Sequence, residues 1–224
     1  MTNLQKRVLT SIIILPISIY FIIQGGYFLL FFLLGLFFAA NYELFSVFKK
    51  KSIILLFDLI LILSLYSIYY LRDHSDESFY ILLWIIILVI CSDIGGYIFG
   101  KLFKWKQFTK ISPKKTLSGA FGSFIFSLGS VFVTFKILPS LKYIFQNIEY
   151  ISVNFLDPKF FFLAIILSVI AQAGDLTVSY FKRVEKIKDT GKILPGHGGI
   201  FDRIDALMFV IIFALIFYKF NIIP

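Results

Sequence analysis

Residues 79–100 read FYILLWIIILVICSDIGGYIFG, and the only charged side chain in this stretch is Asp93. About 20 consecutive apolar residues are enough for an α-helix to cross the hydrocarbon core of a bilayer. Inside that core each backbone N–H and C=O group needs a partner within the protein, and a helix supplies these partners by itself. The stretch therefore predicts a transmembrane helix in an integral membrane protein.

Similar apolar stretches occupy most of the chain on either side of this one. Hydrophobic residues make up 59% of the sequence, which is more than a soluble domain of this size can bury. The predicted spans are 8–24, 27–45, 53–71, 79–100, 117–138, 159–180 and 200–220. We therefore predict an all-α fold, a polytopic membrane helical bundle of about seven transmembrane helices.

Lysine and arginine residues are concentrated in alternate connections between these spans. The basic segments are the N-terminus with Lys6 and Arg7, residues 49–51, loop 101–116 and loop 181–199, whereas the connections between them carry few basic residues. Because basic loops stay in the cytoplasm, we expect the N-terminus and both long basic loops on that side. The net charge of +9 then reflects membrane topology and does not indicate nucleic acid binding.

Six of the 13 acidic residues lie inside the apolar spans or at their edges, and the predicted topology places all six in the cytoplasmic half. They are Glu43, Asp58, Asp93, Asp175, Asp202 and Asp205. Intramembrane carboxylates are costly and usually functional, and a few carboxylates with phosphate oxygens suit Mg²⁺. The sequence therefore predicts a site for Mg²⁺ or another divalent cation.

Each carboxylate also has a structural interpretation. Asp202 could pair with Arg203 or interact with the dipole at a helix N-terminus, and Asp93 and Asp175 could be structural too. For Glu43 and Asp58 we favour a polar contact that holds the fold, or a side chain that reaches the membrane interface.

Cations and glycines surround these carboxylates in the two long basic loops. Lys114 and Lys115 precede the fifth span, and Lys182 and Arg183 end the sixth. The segment GKILPGHGGIFDRID at 191–205 places glycines before a helix N-terminus, where exposed N–H groups bind phosphate. Together with the carboxylates, this pattern indicates that polyphosphate, a divalent metal and an anionic lipid meet at one surface. The alternative is a flexible loop whose lysines only determine topology.

Residues 179–205 read SYFKRVEKIKDTGKILPGHGGIFDRID and resemble the defining motif of phosphatidate cytidylyltransferases, also called CDP-diacylglycerol synthases. The matching residues are Ser179, Lys182, Arg183, Lys188, Asp189, Gly191, Leu194, Pro195, His197, Gly198, Gly199, Asp202, Arg203 and Asp205. AGDL at 173–176, SDIGGYIFGK at 92–101 and ISPKKTLSGAFGS at 111–123 resemble further family elements. Ser118 stands where the family commonly has Glu, and Ser123 where it often has Gly.

The resemblance implies a nucleotidyltransferase of phospholipid biosynthesis in a bacterial inner membrane, with its active site on the cytoplasmic side. CTP and phosphatidate would give CDP-diacylglycerol and pyrophosphate, through attack of a phosphatidate oxygen on the α-phosphorus of CTP. Residues 1–78 would be N-terminal transmembrane helices and residues 79–224 the catalytic region of a single membrane domain. A second cation, monovalent or divalent, and a homodimer are compatible with this interpretation.

We assign the following roles to residues of the motif and of the loop before the fifth span as hypotheses. Catalytic roles are assigned to Asp175, Asp202, Asp205, Lys182, Arg183 and Arg203. Asp175 and Asp202 would hold the divalent metal, with Asp205 and Asp93 helping. Substrate binding is assigned to Lys114, Lys115, Thr116, Ser179, Lys188, Asp189, His197, Gly198 and Gly199. Because a phosphomonoester is largely deprotonated at neutral pH, the reaction needs no general base, and for His197 we favour loop shaping or hydrogen bonding.

Three other functions remain open at this point. A cation-coupled transporter or channel would place carboxylates near the membrane midplane and on both sides, unlike the predicted one-sided arrangement. A CDP-alcohol phosphotransferase would carry an Asp-Gly…Ala-Arg…Gly…Asp…Asp pattern, which the sequence lacks. A membrane scaffold would have no evident use for the clustered acids.

Overall fold

The computed structural model describes residues 3–109, 111–144, 153–191, 193–196 and 198–223, and these residues form seven α-helices. The helices are α1 (Asn3–Gln24), α2 (Gly26–Val47), α3 (Lys51–Asp73), α4 (Asp76–Phe103), α5 (Leu117–Ile144), α6 (Pro158–Val184) and α7 (Phe201–Lys219). Six predicted spans lie within one helix each, and the seventh exceeds α7 by one residue at either end. The all-α prediction is confirmed.

Five of the described helices, α2 to α6, are long and apolar enough to cross a membrane. In α1 the apolar part is shorter, Ile12–Gln24. The first two turns of α7 carry Asp202, Arg203 and Asp205, which interrupt its apolar character. A membrane crossing by α1 and α7, and the orientation of the termini, therefore stay predictions.

Local sequence signals explain where the helices begin. Ser75 caps α4: its Oγ accepts a hydrogen bond from the Ser78 N–H at 3.1 Å, and Ser78 Oγ accepts one from the Ser75 N–H at 3.0 Å. This reciprocal pair satisfies two backbone donors that the first turn cannot use. Pro158 opens α6 and needs no backbone donor there, while the carboxylate of the preceding Asp157 accepts from the Lys159 N–H at 2.9 Å.

The connection between α1 and α2 is tight, because only Gly25 lies between the two helices and Gly26 already begins α2. Gly25 has φ +64° and Gly26 has φ +51°, a left-handed conformation that costs glycine little. The end of α3 holds this turn, because Asp73 accepts a hydrogen bond from the Gly26 N–H at 3.0 Å. Arg72 donates to backbone carbonyl groups near the end of α1.

Helices α4 and α5 pack closely because small residues face each other along their interface. A Cβ atom added to Gly122 would lie 2.5 Å from the carbonyl oxygen of Gly95, and one added to Gly95 would lie 2.6 Å from Cβ of Phe126. Small residues allow such close helix approach inside membranes. This packing fixes α4, which carries Asp93, against the segment that carries Lys114 and Lys115.

Two apolar clusters stabilise the rest of the bundle. One joins α4, α6 and α7 around Trp84, whose ring centroid lies 5.0 Å from that of Phe160. The other joins α2, α3, α6 and α7 around Phe57, which contacts Phe181 and Phe201 edge-on at 5.3 Å each. The second cluster lies directly beneath the beginning of α7.

Gly122→Val should destabilise the protein by about 1–3 kcal/mol, because the added side chain forces α4 and α5 apart. Gly129→Val is the matched control on the same helix, since nothing lies within 4 Å of a Cβ atom at Gly129. Thermal unfolding in detergent measures both variants. Equal unfolding temperatures for the two variants would contradict this description of the interface.

Candidate active site

A polar cavity of about 420 Å³ lies between α4, α5, α6 and α7 and beneath the loop that precedes α5. Both signs of charge line it, in a chain that is otherwise mostly apolar. The charged lining residues are Asp93, Asp175, Asp189, Asp202, Asp205, Lys114, Lys115, Lys182 and Arg203. The structure therefore brings all four predicted metal ligands to one cavity, together with cations from both basic loops.

Asp175 projects from α6 and is held by two partners. Its Oδ1 accepts a hydrogen bond from Ser179 Oγ at 3.2 Å, one turn further along the same helix face. Its Oδ2 forms an ion pair with Nζ of Lys115. Two backbone hydrogen bonds position Lys115: the Phe108 N–H donates to the Lys115 carbonyl at 2.8 Å, and the Lys115 N–H donates to the Ser112 carbonyl at 3.0 Å.

Asp202 lies in the first turn of α7, and both of its carboxylate oxygens have partners. Oδ1 pairs with Nζ of Lys182 at 2.8 Å, while Oδ2 accepts from the backbone N–H groups of Thr190 at 2.8 Å and Gly199 at 3.2 Å. Both side chains of the ion pair are largely buried, with exposures of 9% and 6%. The carboxylate thus connects the end of α6, the loop after it and the start of α7. The sequence alone suggested the adjacent Arg203 as an ion-pair partner of Asp202, but the partner in the structure is Lys182.

Glu43 of α2 also holds this loop. Its Oε1 accepts from the Ile200 N–H and its Oε2 from the Phe201 N–H, both at 3.0 Å, and Thr190 Oγ1 donates to Oε2 at 3.3 Å. The carboxylate is 1% exposed and lies against the positive end of the α7 dipole. The predicted fold-holding contact of Glu43 is confirmed.

Two glycines of the motif make room for Glu43. A Cβ atom at Gly199 would lie 2.5 Å from Glu43 Oε2, and one at Gly191 would overlap Oε1. From the sequence, we expect the exposed N–H groups of these glycines to bind phosphate. The N–H of Gly199 instead donates to Asp202, so the described contacts give both glycines a packing role.

Asp93 and Asp205 complete the group of carboxylates around Asp175. The charged neighbours of Asp93 include Asp175, Lys115 and Arg203, and those of Asp205 include Asp175, Lys182 and Asp93. The Oδ1 of Asp205 accepts from the Ala206 N–H at 2.8 Å. Neighbouring carboxylates repel one another unless cations compensate them, so this part of the cavity favours a bound cation.

These carboxylates fit a cation that a ligand helps to coordinate. Among the residues that the structure describes, no three His, Cys, Asp or Glu side chains are close enough to form a metal-binding group. A site made entirely by protein is therefore not seen in this part of the chain. Mg²⁺ ordinarily uses one or two carboxylates and takes its other ligands from water and phosphate, which this arrangement allows.

The remaining predicted site residues divide between the cavity and the loops around it. Thr116 and Asp189 line the cavity. Arg183 and Lys188 are exposed and do not line it; Arg183 donates to the Ile187 carbonyl at 2.7 Å and the Ile111 carbonyl at 3.4 Å, which connects the two basic loops. Gly198 has φ +91° beside Asp202. His197 lies outside the described residues.

Polar residues without an assigned role also line the cavity, including Ser92, Tyr97, Ser123 and Gln172. Gln172 stands out, because its Nε2 is buried without a hydrogen-bond acceptor among the described residues. A ligand in the cavity could accept that hydrogen bond. The sequence signal was its spacing, since Gln172 precedes Asp175 by three residues and shares its helix face.

Ser118 stands where the family that this sequence resembles commonly has Glu. It does not line the cavity. Its hydroxyl group lies 3.0 Å from Thr116 Oγ1 and accepts from the Trp105 N–H at 3.4 Å. It therefore stabilises the loop before α5.

Known proteins are similar to this chain over the segments that form the cavity. The sequence model of the cytidylyltransferase family matches residues 50–221. A phosphatidate cytidylyltransferase of Staphylococcus saprophyticus is 41% identical over 143 residues, 63% of this chain and 50% of the relative. One of Helicobacter pylori is 38% identical over 136 residues, 61% of this chain and 46% of the relative. One of Rickettsia conorii is 32% identical over 217 residues, 92% of this chain and 87% of the relative.

The chain thus spans about half the length of the first two relatives and most of the third. The family match includes the part of the cavity formed by α4 to α7.

Glu43→Gln should loosen the start of α7, because the amide presents a donor where the carboxylate accepts from backbone N–H groups. We expect a loss of about 1–3 kcal/mol at this contact, seen as faster hydrogen exchange at Ile200 and Phe201. The exposed Glu77→Gln is the matched control. Unchanged protection of both amides in Glu43→Gln would show that this contact does not hold the loop.

Proposed function

The chain belongs to the cytidylyltransferase family, and we propose that it is a phosphatidate cytidylyltransferase, which makes CDP-diacylglycerol and pyrophosphate from CTP and phosphatidate. One observation carries the proposal: carboxylates and cations from three helices and two basic loops line a single cavity inside an apolar bundle. A triphosphate and a lipid phosphate both need cations close by, and the carboxylates suit a divalent metal that would add further positive charge. The names of the relatives and the family match support the choice of substrates.

In the proposed reaction an oxygen of the phosphatidate phosphate forms a bond to the α-phosphorus of CTP. The bond from that phosphorus to the oxygen bridging the α- and β-phosphates breaks, and pyrophosphate leaves with the electron pair. Because the second pKa of a phosphomonoester is about 6, the nucleophile is already deprotonated at neutral pH. The chain therefore has to position two anions and reduce their repulsion.

Cations at the cavity are suited to that task. Lys115 and Lys182 enter from different segments and face the same space. Lys114 and Arg203 add two further charges, and Lys or Arg side chains bind phosphate by charge-assisted hydrogen bonds. We propose that these four residues compensate the phosphates. Arg183 and Lys188 keep their predicted roles as hypotheses, although neither lines the cavity.

Metal dependence is also part of the proposal. One or two of the carboxylates of Asp175, Asp205 and Asp93 would hold a divalent cation such as Mg²⁺, whose other ligands would come from water and substrate phosphate. When bound, the cation would polarise a phosphoryl oxygen and neutralise charge. Asp202 stays a predicted ligand, but its three hydrogen bonds give it a clear second task, which is to position Lys182 and the loop. A second cation and a homodimer stay predictions.

We propose that the cavity opens on the cytoplasmic side of a bacterial inner membrane. Loops 101–116 and 181–199 both contribute to the cavity, and Arg183 connects them. This contact supports their predicted placement on one side of the bilayer, where basic loops remain in the cytoplasm.

Asp175→Asn should reduce formation of CDP-diacylglycerol by about 100-fold or more, the usual effect of removing one key electrostatic group. The variant removes the charge that the predicted cation and Lys115 share. Asp58→Asn is the matched control, because Asp58 is a second aspartate in an apolar helix that does not line the cavity. Activity of purified protein, measured over a range of Mg²⁺ concentrations, tests both.

Comparable activity of Asp175→Asn and Asp58→Asn at every Mg²⁺ concentration would remove Asp175 from the proposed mechanism. Membrane insertion of both variants, checked by extraction and gel filtration in detergent, excludes misfolding as the cause of a loss.

A further inference from the structure

A second cavity, of about 400 Å³, lies between α1, α2, α3, α4 and α7. Apart from Ser18, Ser64 and Arg203, its lining residues are apolar. The hydroxyl group of Ser18 donates to the Ile14 carbonyl at 2.9 Å, and that of Ser64 to the Leu61 carbonyl at 2.8 Å. Both hydroxyl groups are thus used within their own helices, and the interior of this apolar cavity is suited to hydrocarbon.

Arg203 lies between this apolar cavity and the polar one. Among the described residues it is the only one that lines both cavities. It is also a charged neighbour of Asp93, which places its charge close to the polar cavity. Other residues of α7 divide between the two spaces: Asp205 lines the polar cavity, while Leu207 and Ile211 line the apolar one.

The chemistry of the two cavities suits the two parts of one amphiphilic molecule. An apolar space of this kind cannot hold a nucleotide or a hydrated ion without loss of their hydrogen bonds. Its volume lies in the usual range for ligand cavities, and each CH₂ group buried there would favour binding. A cation at its junction with the polar cavity is the group expected beside a phosphate that carries the chain.

We propose that the apolar cavity binds one acyl chain of the phosphatidate, with the lipid phosphate beside Arg203 at the junction. The inference rests on the proposed function, because it assigns a place to the lipid part of that substrate. It makes the cavity between α1 and α7 a determinant of acyl-chain selectivity.

A neighbouring groove between α2 and α3 provides a matched control. It has a volume of about 310 Å³ and shares Leu33 and Leu65 with the apolar cavity, whereas Leu34 lines the groove alone. Among the described residues, no charged one lines this groove. A large side chain placed there should affect packing against lipid but not the substrate.

The test compares dioleoyl- and dihexanoyl-phosphatidate as substrates for purified protein in detergent. Leu207→Trp fills the apolar cavity from α7, and Ile86→Phe fills it from α4. We expect each variant to lower the ratio of kcat/KM for the long-chain over the short-chain lipid by about tenfold or more. Leu34→Trp, in the control groove, should leave this ratio within about twofold of wild type, where a tenfold change corresponds to about 1.4 kcal/mol.

Each outcome has a separate meaning. If wild-type protein forms CDP-diacylglycerol and both cavity variants keep the wild-type ratio, the acyl-chain site is overturned while the proposed function stands. The same holds if Leu34→Trp changes the ratio as much as they do. If wild-type protein forms no CDP-diacylglycerol from either lipid, the proposed function fails, and the acyl-chain site with it.

Discussion

Compensation, by cations, of carboxylates that lie within the apolar bundle is the interaction on which the rest of this structure depends. An ionised carboxylate in an apolar bundle is costly unless a cation or several N–H donors accompany it. Asp175 obtains Lys115 from the loop before α5, and Asp202 obtains Lys182 from the end of α6. These pairs require the two basic loops to fold back onto the helices, and this folding creates the cavity in which anionic substrates can replace or join the pairs.

The loop between α6 and α7 shows how such compensation becomes a defined geometry. Glu43 and Asp202 both bind it, and both contact Thr190. Gly191 and Gly199 let the loop approach Glu43 closely. The glycine-rich segment that the sequence suggests for phosphate binding thus also binds the carboxylates of Glu43 and Asp202. The cations Lys182 and Arg203 line the cavity beside it.

The sequence predicts the helices well because apolar length alone determines them. It also predicts that Asp93, Asp175, Asp202 and Asp205 share a region, because their helix positions and the charged loops fall on one side. The sequence does not predict contacts between distant segments. Glu43 and Ile200, for example, are 157 positions apart, and nothing local in the sequence selects that partner. The outward position of Arg183 and the place of Arg203 between two cavities likewise depend on how α6 and α7 pack, which no spacing pattern encodes.

We propose that one cavity brings a nucleotide and a lipid phosphate together around a divalent cation. Formation of CDP-diacylglycerol by the purified wild-type protein from labelled CTP and phosphatidate, with Mg²⁺ and then with excess chelator, tests this proposal. We expect product only when both substrates and Mg²⁺ are present, with recovery when Mg²⁺ is restored. Absence of product under all conditions, or an equal rate with chelator, would contradict it.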